Sequence, residues 1–600
     1  MTVKRIPYWV REGGIGIEVN GTNAGGGATN VTVRDVKVER FQKGIQYDDE
    51  GGGADGDVTN VNVTDNGYGL FGLGGVSVNV TKSEIVFNTI RGAQAYFSDS
   101  RFEDNLFKNN GGGMYLLSVS NKIVDNEFVD NSRAIRVTSS TVRGNLITSS
   151  TQVGITGSGN DILDNNISYN RVGIRTPSPN TIRGNQIVGN NRSGINVTGG
   201  DGTVVDDNLV TDNNRDGSYA GILVRNSDNV ELTDNRVHRN AIYGVKAVNT
   251  DGTILRGNRV TENCGGTAGV YFGGTSNNTV LESNNVSNNT GLGIRYAASG
   301  SNVTIRNVTA NDNGDTGIWS SEASGRITNV EVNRNAFAGL ITGGTTVRNI
   351  EARNNTNHGF VFAAGAVTAD NVTAVGNNQT GIYLVDGANP TVVRDSVVRL
   401  NGFGNTVPAP TGVSAGGSDH TGVFAKVDDV VIEDSLVTDN DADVRTTANN
   451  TTLRNVDIGS ANLSGEATDV KINETVSPDP TPSNHTGVGA YFNVTNVTGT
   501  AYFDTTVTYS QAGASGIDES TLSVWRDEGA WNELGGAVDI STNEVTYNIT
   551  EFGVLGVFAD EALFTQPLIG KFVDPPTNTG ELNATLYEDL DGDGDGKSVV

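Results

Sequence analysis

The residues best suited to chemistry in this sequence lie at its end. Asp591, Asp593 and Asp595 alternate with glycines, and Lys597 follows. Carboxylates at loop positions 1, 3 and 5, glycine for the bend and a backbone carbonyl at position 7 are what a hard, oxygen-seeking ion requires. Calcium is therefore the predicted cofactor, held by Asp591, Asp593, Asp595 and the main chain of Lys597. In that register the twelfth ligand position falls beyond Val600, so the loop is expected to be part of a longer module.

Elsewhere the reactive residue types are scattered. Asp234, His238, Arg239 and Lys246 fall within two neighbouring predicted strands, and His238 reads as an exposed turn histidine rather than a base. His358, His420 and His485 are dispersed, which argues against a histidine-rich copper site. Asp428, Asp429, Glu433, Asp434, Asp439, Asp441 and Asp443 crowd one stretch and are expected to form a solvated acidic face. A single cysteine, Cys264, excludes an internal disulfide framework and any multi-cysteine metal site. The catalytic residues stay unknown.

The elements that would position any of these groups are written most clearly between Thr141 and Thr198. A short apolar pair, an Asn, an Ile, a few polar residues and a Gly-Ile-x-Val or Gly-Ile-x-Thr run recur three times there, anchored at Asn145, Asn166 and Asn185. A period of about two dozen residues marks a solenoid. The apolar runs are β-branched and three to five residues long, which suits strands and is too short for amphipathic helices. Asn tolerates the left-handed corner between strands, and stacked Asn side chains can hydrogen-bond along a ladder. Each period is thus one coil, its strands paired in parallel with those of the next. Parallel crossovers make the right-handed β-helix the default.

Anchors continue at Asp35, Asn60, Ser83, Asn105, Asn126, Asn208, Asn235, Asn258, Asn285, Asn307, Asn329, Asn349, Asn371, Asp395, Asp434 and Asn455. Nineteen coils at about 4.8 Å each predict a rod roughly 85–95 Å long. Only the step from Asp395 to Asp434 is long, and it holds an insertion within Thr406–Thr421. The repeat already runs at Gly14, so the start is expected to be truncated.

Four regions are predicted: a parallel β-helix over 13–472, a Pro-rich linker over 473–486, a small antiparallel β-sandwich over 487–560, and a linker with the truncated calcium tail over 561–600. In the sandwich, Trp525 and Trp531 read as core or edge packing rather than a sugar platform. The chain carries 69 Asp and Glu against 41 Lys and Arg, a net charge of −28. Such a surface repels nucleic acid and anionic membranes. No apolar run is long enough to span a membrane as a helix.

The rod resembles the right-handed β-helix repeat superfamily of pectin-acting lyases and hydrolases, alginate epimerases, phage tailspikes and the NosD copper-maturation protein. That resemblance implies the fold but not an activity. Hydrolases of the polygalacturonase type carry Asn-Thr-Asp, paired Asp, Gly-His-Gly and Arg-x-Lys in order. Here Asn249-Thr250-Asp251 and Asn357-His358-Gly359 occur without the other members in sequence. The epimerase Asp-Pro-His signature is absent. Leu586–Leu590 before the acidic loop resembles the start of a dockerin-like module, and the acid-rich, Lys-poor composition resembles proteins of salt-loving archaea. Abundant Asn-x-Ser/Thr sites, among them Asn79, Asn196, Asn371 and Asn548, suit an extracellular or cell-surface protein. The expected function is binding of a polysaccharide or cell-surface glycan, or a structural spacer. Lyase or hydrolase activity along a groove is the alternative, and a NosD-like maturation role a weaker one. Whether the protein is an enzyme stays open.

Overall fold

The computed structural model describes residues 14–21, 28–49, 53–214, 219–263, 265–321, 325–385, 387–402, 420–477 and 480–561, with a strand pair at 587–588 and 597–598. One rung shows how the chain builds a coil. Asp161–Leu163, Asn166–Ser168 and Val172–Thr176 are short strands on a second, a third and a first face of the rod. Side chains alternate along a strand, so Ile162, Ile167 and Ile174 all point inward and are buried. Each meets its counterpart one rung on: Ile162 faces Ile182, Ile167 faces Ile187 and Ile174 faces Ile195. Burying such a side chain contributes about 1.5–3 kcal/mol, repeated three times per rung.

The corners are set by residue type. Asp164 and Tyr169 take left-handed backbone with φ of 55°. The next residue inward, Asn165 or Asn170, is buried. The Oδ1 of Asn165 accepts from both the backbone N–H and the Nδ2 of Asn145 at 2.9 Å, and the Nδ2 of Asn165 donates to the carbonyl of Val142. Each buried amide thus satisfies itself and the corner it fills.

Nineteen first-face strands, from Ile15–Asn20 to Val444–Thr446, are joined by parallel pairing. Their eighteen steps make a rod of about 85 Å. The anchors fall in two adjacent columns. Ser83, Asn105, Asn126, Asn145, Asn185, Asn208, Asn235 and Asn258 are in the buried ladder. Asp35, Asn60, Asn307, Asn329, Asn349, Asn371, Asp395, Asp434 and Asn455 instead occupy the left-handed position one residue earlier. For Asn166 and Asn285 the ladder residue is the preceding one, Asn165 or Asn284. Where Val308, Val330 and Ile350 replace the buried Asn, the corner opens and one strand runs across it, as in Val303–Thr309 and Thr346–Arg353.

A second and longer ladder fills the corner between the third and first faces. It runs from Asn66 to Asn440, with sixteen asparagines and Ser150, and ends on the carboxylate of Asp443.

Beyond the last coil the pairing turns antiparallel. Val470–Glu474, His485–Asn496, Gly553–Asp560, Ser523–Asp527 and Trp531–Gly535 extend the first face. Asn462–Thr468, Tyr502–Thr508, Glu544–Ile549 and Ala537–Asp539 extend the second. These two layers form the antiparallel sandwich, and Phe492, Phe503, Val524 and Leu555 join the same apolar core as Ile432 and Leu453 of the rod. The sandwich therefore covers the rod's open end, where a solenoid needs a cap.

Candidate functional site

Parallel pairing in register lines up the outward residue of each first-face strand. Starting from Phe71, the column reads Gln94, Tyr115, Arg136, Thr156, Arg175 and Asn196. It continues through Leu223, Lys246, Tyr271, Arg295 and Trp319. Most of these side chains are half-buried or exposed. The stripe is about 50 Å long.

Its composition departs sharply from that of the chain. Seventeen successive first-face strands, from Tyr68–Leu73 to Val444–Thr446, contain no Asp or Glu but hold seven Lys or Arg. In place of carboxylates, five of these seven cations meet aromatic rings. The Arg91 and Arg136 guanidiniums sit 4.1 and 4.6 Å from the Tyr115 ring centre. Lys246 lies 4.6 Å from the ring centre of Tyr243, and Arg295 lies 5.2 Å from that of Trp319. Such contacts are worth roughly 0.5–2 kcal/mol and hold flat guanidinium and ring surfaces towards solvent.

Past Trp319 the column changes character. Ile341, Val361, Tyr383 and Phe424 continue it outward. They are buried together with Phe337 in an apolar cluster separate from the interior core. The His358 ring packs between Phe337 and Tyr383. Burial pushes His358 down to about 3, and its Nε2 finds no hydrogen-bond partner, so the ring stays neutral at physiological pH.

Two carboxylates flanking this face, Asp315 and Asp443, are also held towards neutrality. Burial raises Asp315 above the ordinary carboxylate range. Asp443 is raised to about 6 by burial, although it accepts from the backbone of Glu474 and from Asn440.

The residues singled out from sequence do not form one site. Asp234 is exposed at a second-to-third-face corner, while Lys246 is in the first-face stripe. Arg239 pairs with Asp212 at 3.1 Å. His238 is buried at 5% exposure, where an exposed turn residue was expected. It ends the third-face strand Arg236–His238, and burial, then Arg239 and Arg236, lower its pKa. In the acidic stretch, Asp428, Asp429 and Asp434 accept from Asn449, Asn450 and Asn455, and Glu433 pairs with Arg454. Among the described residues no three His, Cys, Asp or Glu converge on a metal position. Asp591, Asp593 and Asp595, with Cys264 and most of the 406–421 insertion, lie outside the described residues, and Lys597–Ser598 pairs with Tyr587–Glu588 as antiparallel strand. Trp525 and Trp531 pack against Phe558, and Trp531 donates to the Pro480 carbonyl. No helix among the described residues is long and apolar enough to cross a membrane.

Of the stripe, only Lys246 was singled out in the sequence. The signal for the rest is the missing acid, visible only after the strands are aligned.

The model of the right handed beta helix region matches residues 15–172, 176–337 and 300–458. No curated protein matches the chain. Among solved structures, the Dettilon tailspike protein is 13% identical, with 81% of this chain and 88% of that one covered, at a TM-score of 0.30. A mannuronan C-5 epimerase module of Azotobacter vinelandii is 14% identical, covering 56% and 92%, at 0.34. The tailspike of the E. coli bacteriophage HK620, in complex with a pentasaccharide, is 8% identical, covering 81% and 87%, at 0.27.

Proposed function

The chain belongs to the right-handed β-helix family, and from that premise we propose that it binds a polysaccharide laid along the first face. The observation that carries this reading is the acid-free run of seventeen strands with its aromatic and cationic column. Sugar rings present apolar C–H faces and hydroxyl edges. Tyr271 and Trp319 offer flat apolar surfaces for the first, and Arg and Lys donors suit the second. A repeated column on a straight rod suits a repeated ligand.

Rung stapling by cation–π contacts is the competing account of the stripe. It leaves the absence of acid unexplained, because the second face ties its rungs together with Arg–carboxylate pairs such as Arg183–Asp206. Calorimetric titration of the full chain with a panel of neutral and acidic polysaccharides tests the proposal. Binding that weakens in Tyr271→Ala and Trp319→Ala supports it; binding indifferent to both removes the first face from the function. Release of unsaturated or reducing ends from the bound polymer would identify a lyase or a hydrolase working on that face.

Two finer parts of the reading rest on sequence. The Asn-x-Ser/Thr sites and the sandwich-then-tail order support an extracellular or cell-surface protein, with an acidic, haloarchaeal-like surface. Asp591, Asp593 and Asp595, with the Lys597 carbonyl, are read as a dockerin-like calcium loop. Calcium titration of the full chain against Asp591→Ala and Asp593→Ala tests that loop, and heat unchanged by either substitution removes it.

A further inference from the structure

The stripe contains a pocket between its Arg91, Tyr115 and Arg136 rungs. Its volume is about 180 Å³, and its lining includes Arg91, Tyr115, Ser132, Arg133, Arg136 and Gln152. Three guanidiniums meet here, and among the described residues none of them pairs with a carboxylate. Tyr115 is flanked by Arg91 and Arg136 at 4.1 and 4.6 Å, which fixes both planar groups. Gln152 holds the third: its Oε1 accepts from Arg133 Nη2 at 3.3 Å while its Nε2 donates to Ser132. The Arg133 Nε is buried and has no hydrogen-bond partner. A buried, unanswered donor on a charged group is destabilising.

Gly111 and Gly112 also line the pocket. A Cβ at Gly111 would lie 2.2 Å from the Thr89 carbonyl oxygen, so that position stays bare. Burial and then mutual repulsion with Arg136 and Arg91 lower the Arg133 pKa, which is the strain an anion would relieve.

We propose that Arg91, Arg133 and Arg136 form an anion subsite that takes the carboxylate or sulfate group of an acidic sugar, which makes the ligand of the first face an acidic polysaccharide. This rests on the polysaccharide reading of that face and names its charge class. The geometry suits an oxyanion: guanidinium forks bind carboxylate and sulfate oxygens in parallel pairs, whereas a neutral sugar brings no charge to set against the three cations. The net charge of −28 does not forbid it. The Debye length at physiological salt is about 8 Å, so carboxylates on the second face are screened while three local cations are not.

The test is titration calorimetry of the full chain at physiological salt against polygalacturonate, dextran sulfate, neutral dextran and a single-stranded oligonucleotide. The variants are Arg136→Gln, Arg133→Gln/Arg136→Gln and, on the second face, Arg143→Gln. Polygalacturonate or dextran sulfate is expected to bind at least tenfold tighter than dextran, and the tighter of the two identifies the anion. The double variant should lose about a hundredfold, about tenfold per charge-assisted pair, and Arg143→Gln should lose nothing. Melting temperatures check folding, and Arg136→Gln, at an exposed position, carries the test if the double variant unfolds. Equal affinity for polygalacturonate and dextran, or an unchanged double variant, overturns the anion subsite and leaves the polysaccharide reading intact. Oligonucleotide binding as tight as that of either acidic glycan overturns the sugar class. If no polymer binds, the polysaccharide reading falls. Binding of inorganic sulfate that is lost in Arg136→Gln then supports the pocket on its own, and absence of sulfate binding overturns it.

Discussion

The first and second faces of the rod are built from the same rungs and solve the same problem of stacking charged residues at about 4.8 Å. On the second face many cations answer an anion one rung away. Arg143 pairs with Asp164, and Glu282 bridges Arg256 and Arg306. Asp370 does the same for Arg348 and Arg394. There the arginines Arg306 and Arg256 hold Glu282 below the ordinary carboxylate range. From Tyr68 to Thr446 the first-face strands have cations and rings but no acid, and two carboxylates at their margins, Asp315 and Asp443, are pushed up instead. Neutralising charge within the fold keeps a surface inert; leaving it unanswered creates a demand that only an outside group meets. The difference separates scaffold from working surface.

The largest effect expected from breaking this contrast is at Asp443. Its carboxyl titrates near 6 in the fold and near 3.8 when unfolded, so the folded state favours the proton. The stability contribution is complete below about 3.8 and lost as pH rises through about 6, a change of about 3 kcal/mol. Denaturant unfolding of the protein and of Asp443→Asn at acid and neutral pH should show a difference that grows with pH, the variant gaining on the parent. A constant difference contradicts the raised value.

Next comes charge reversal. Arg175→Glu/Arg295→Glu puts acid into the first face and should cut glycan affinity about a hundredfold, from two lost charge-assisted contacts. The same reversal at Arg143 and Arg183 should leave binding where it was. Equal losses from both pairs would mean that overall charge, not the face, governs binding.

Trp319→Ala removes one ring from the end of the accessible stripe and should weaken binding several-fold, in line with about 0.5–1.5 kcal/mol for an aromatic contact. Smallest of all is Arg143→Gln without ligand. It breaks an exposed pair with Asp164 and should change the unfolding free energy by less than about 1 kcal/mol in thermal or denaturant melts.

Much of the rod is legible before any coordinates. The Ile and Val columns and the left-handed corners follow from residue type, since β-branched side chains favour strands and Asn and Asp accept positive φ. The sandwich strands likewise announce themselves through alternation. The corner ladder was harder to place. Asp164-Asn165-Asn166 and Asn284-Asn285 set amide-bearing or acidic residues side by side, and composition does not say which one turns inward. The longer ladder through Asn66, Asn190 and Asn440 keeps the same spacing but leaves no separate mark in the sequence, because its members sit among other polar residues, as in Asp212-Asn213-Asn214. His238 looked like a turn residue for the same reason. Its neighbours Arg236 and Arg239 are polar, and only the stacking of rungs, which sets it in register between the buried Thr211 and Thr261, covers it.

The sequence by itself determined a right-handed β-helix with its corners, its apolar interior and its antiparallel end, because those depend on contacts whose partners repeat in kind from coil to coil. Only the tertiary structure decided which surface is free of acid. Ladder partners are separated by 19 to 27 residues over most of the rod and by 39 at Asn401–Asn440, so no fixed period brings Tyr115, Arg136, Lys246, Arg295 and Trp319 into one line. A slip of one residue in any rung would turn its outward side chain to the interior, and the apolar core forbids that slip. Burial sets the register, and the register writes the surface.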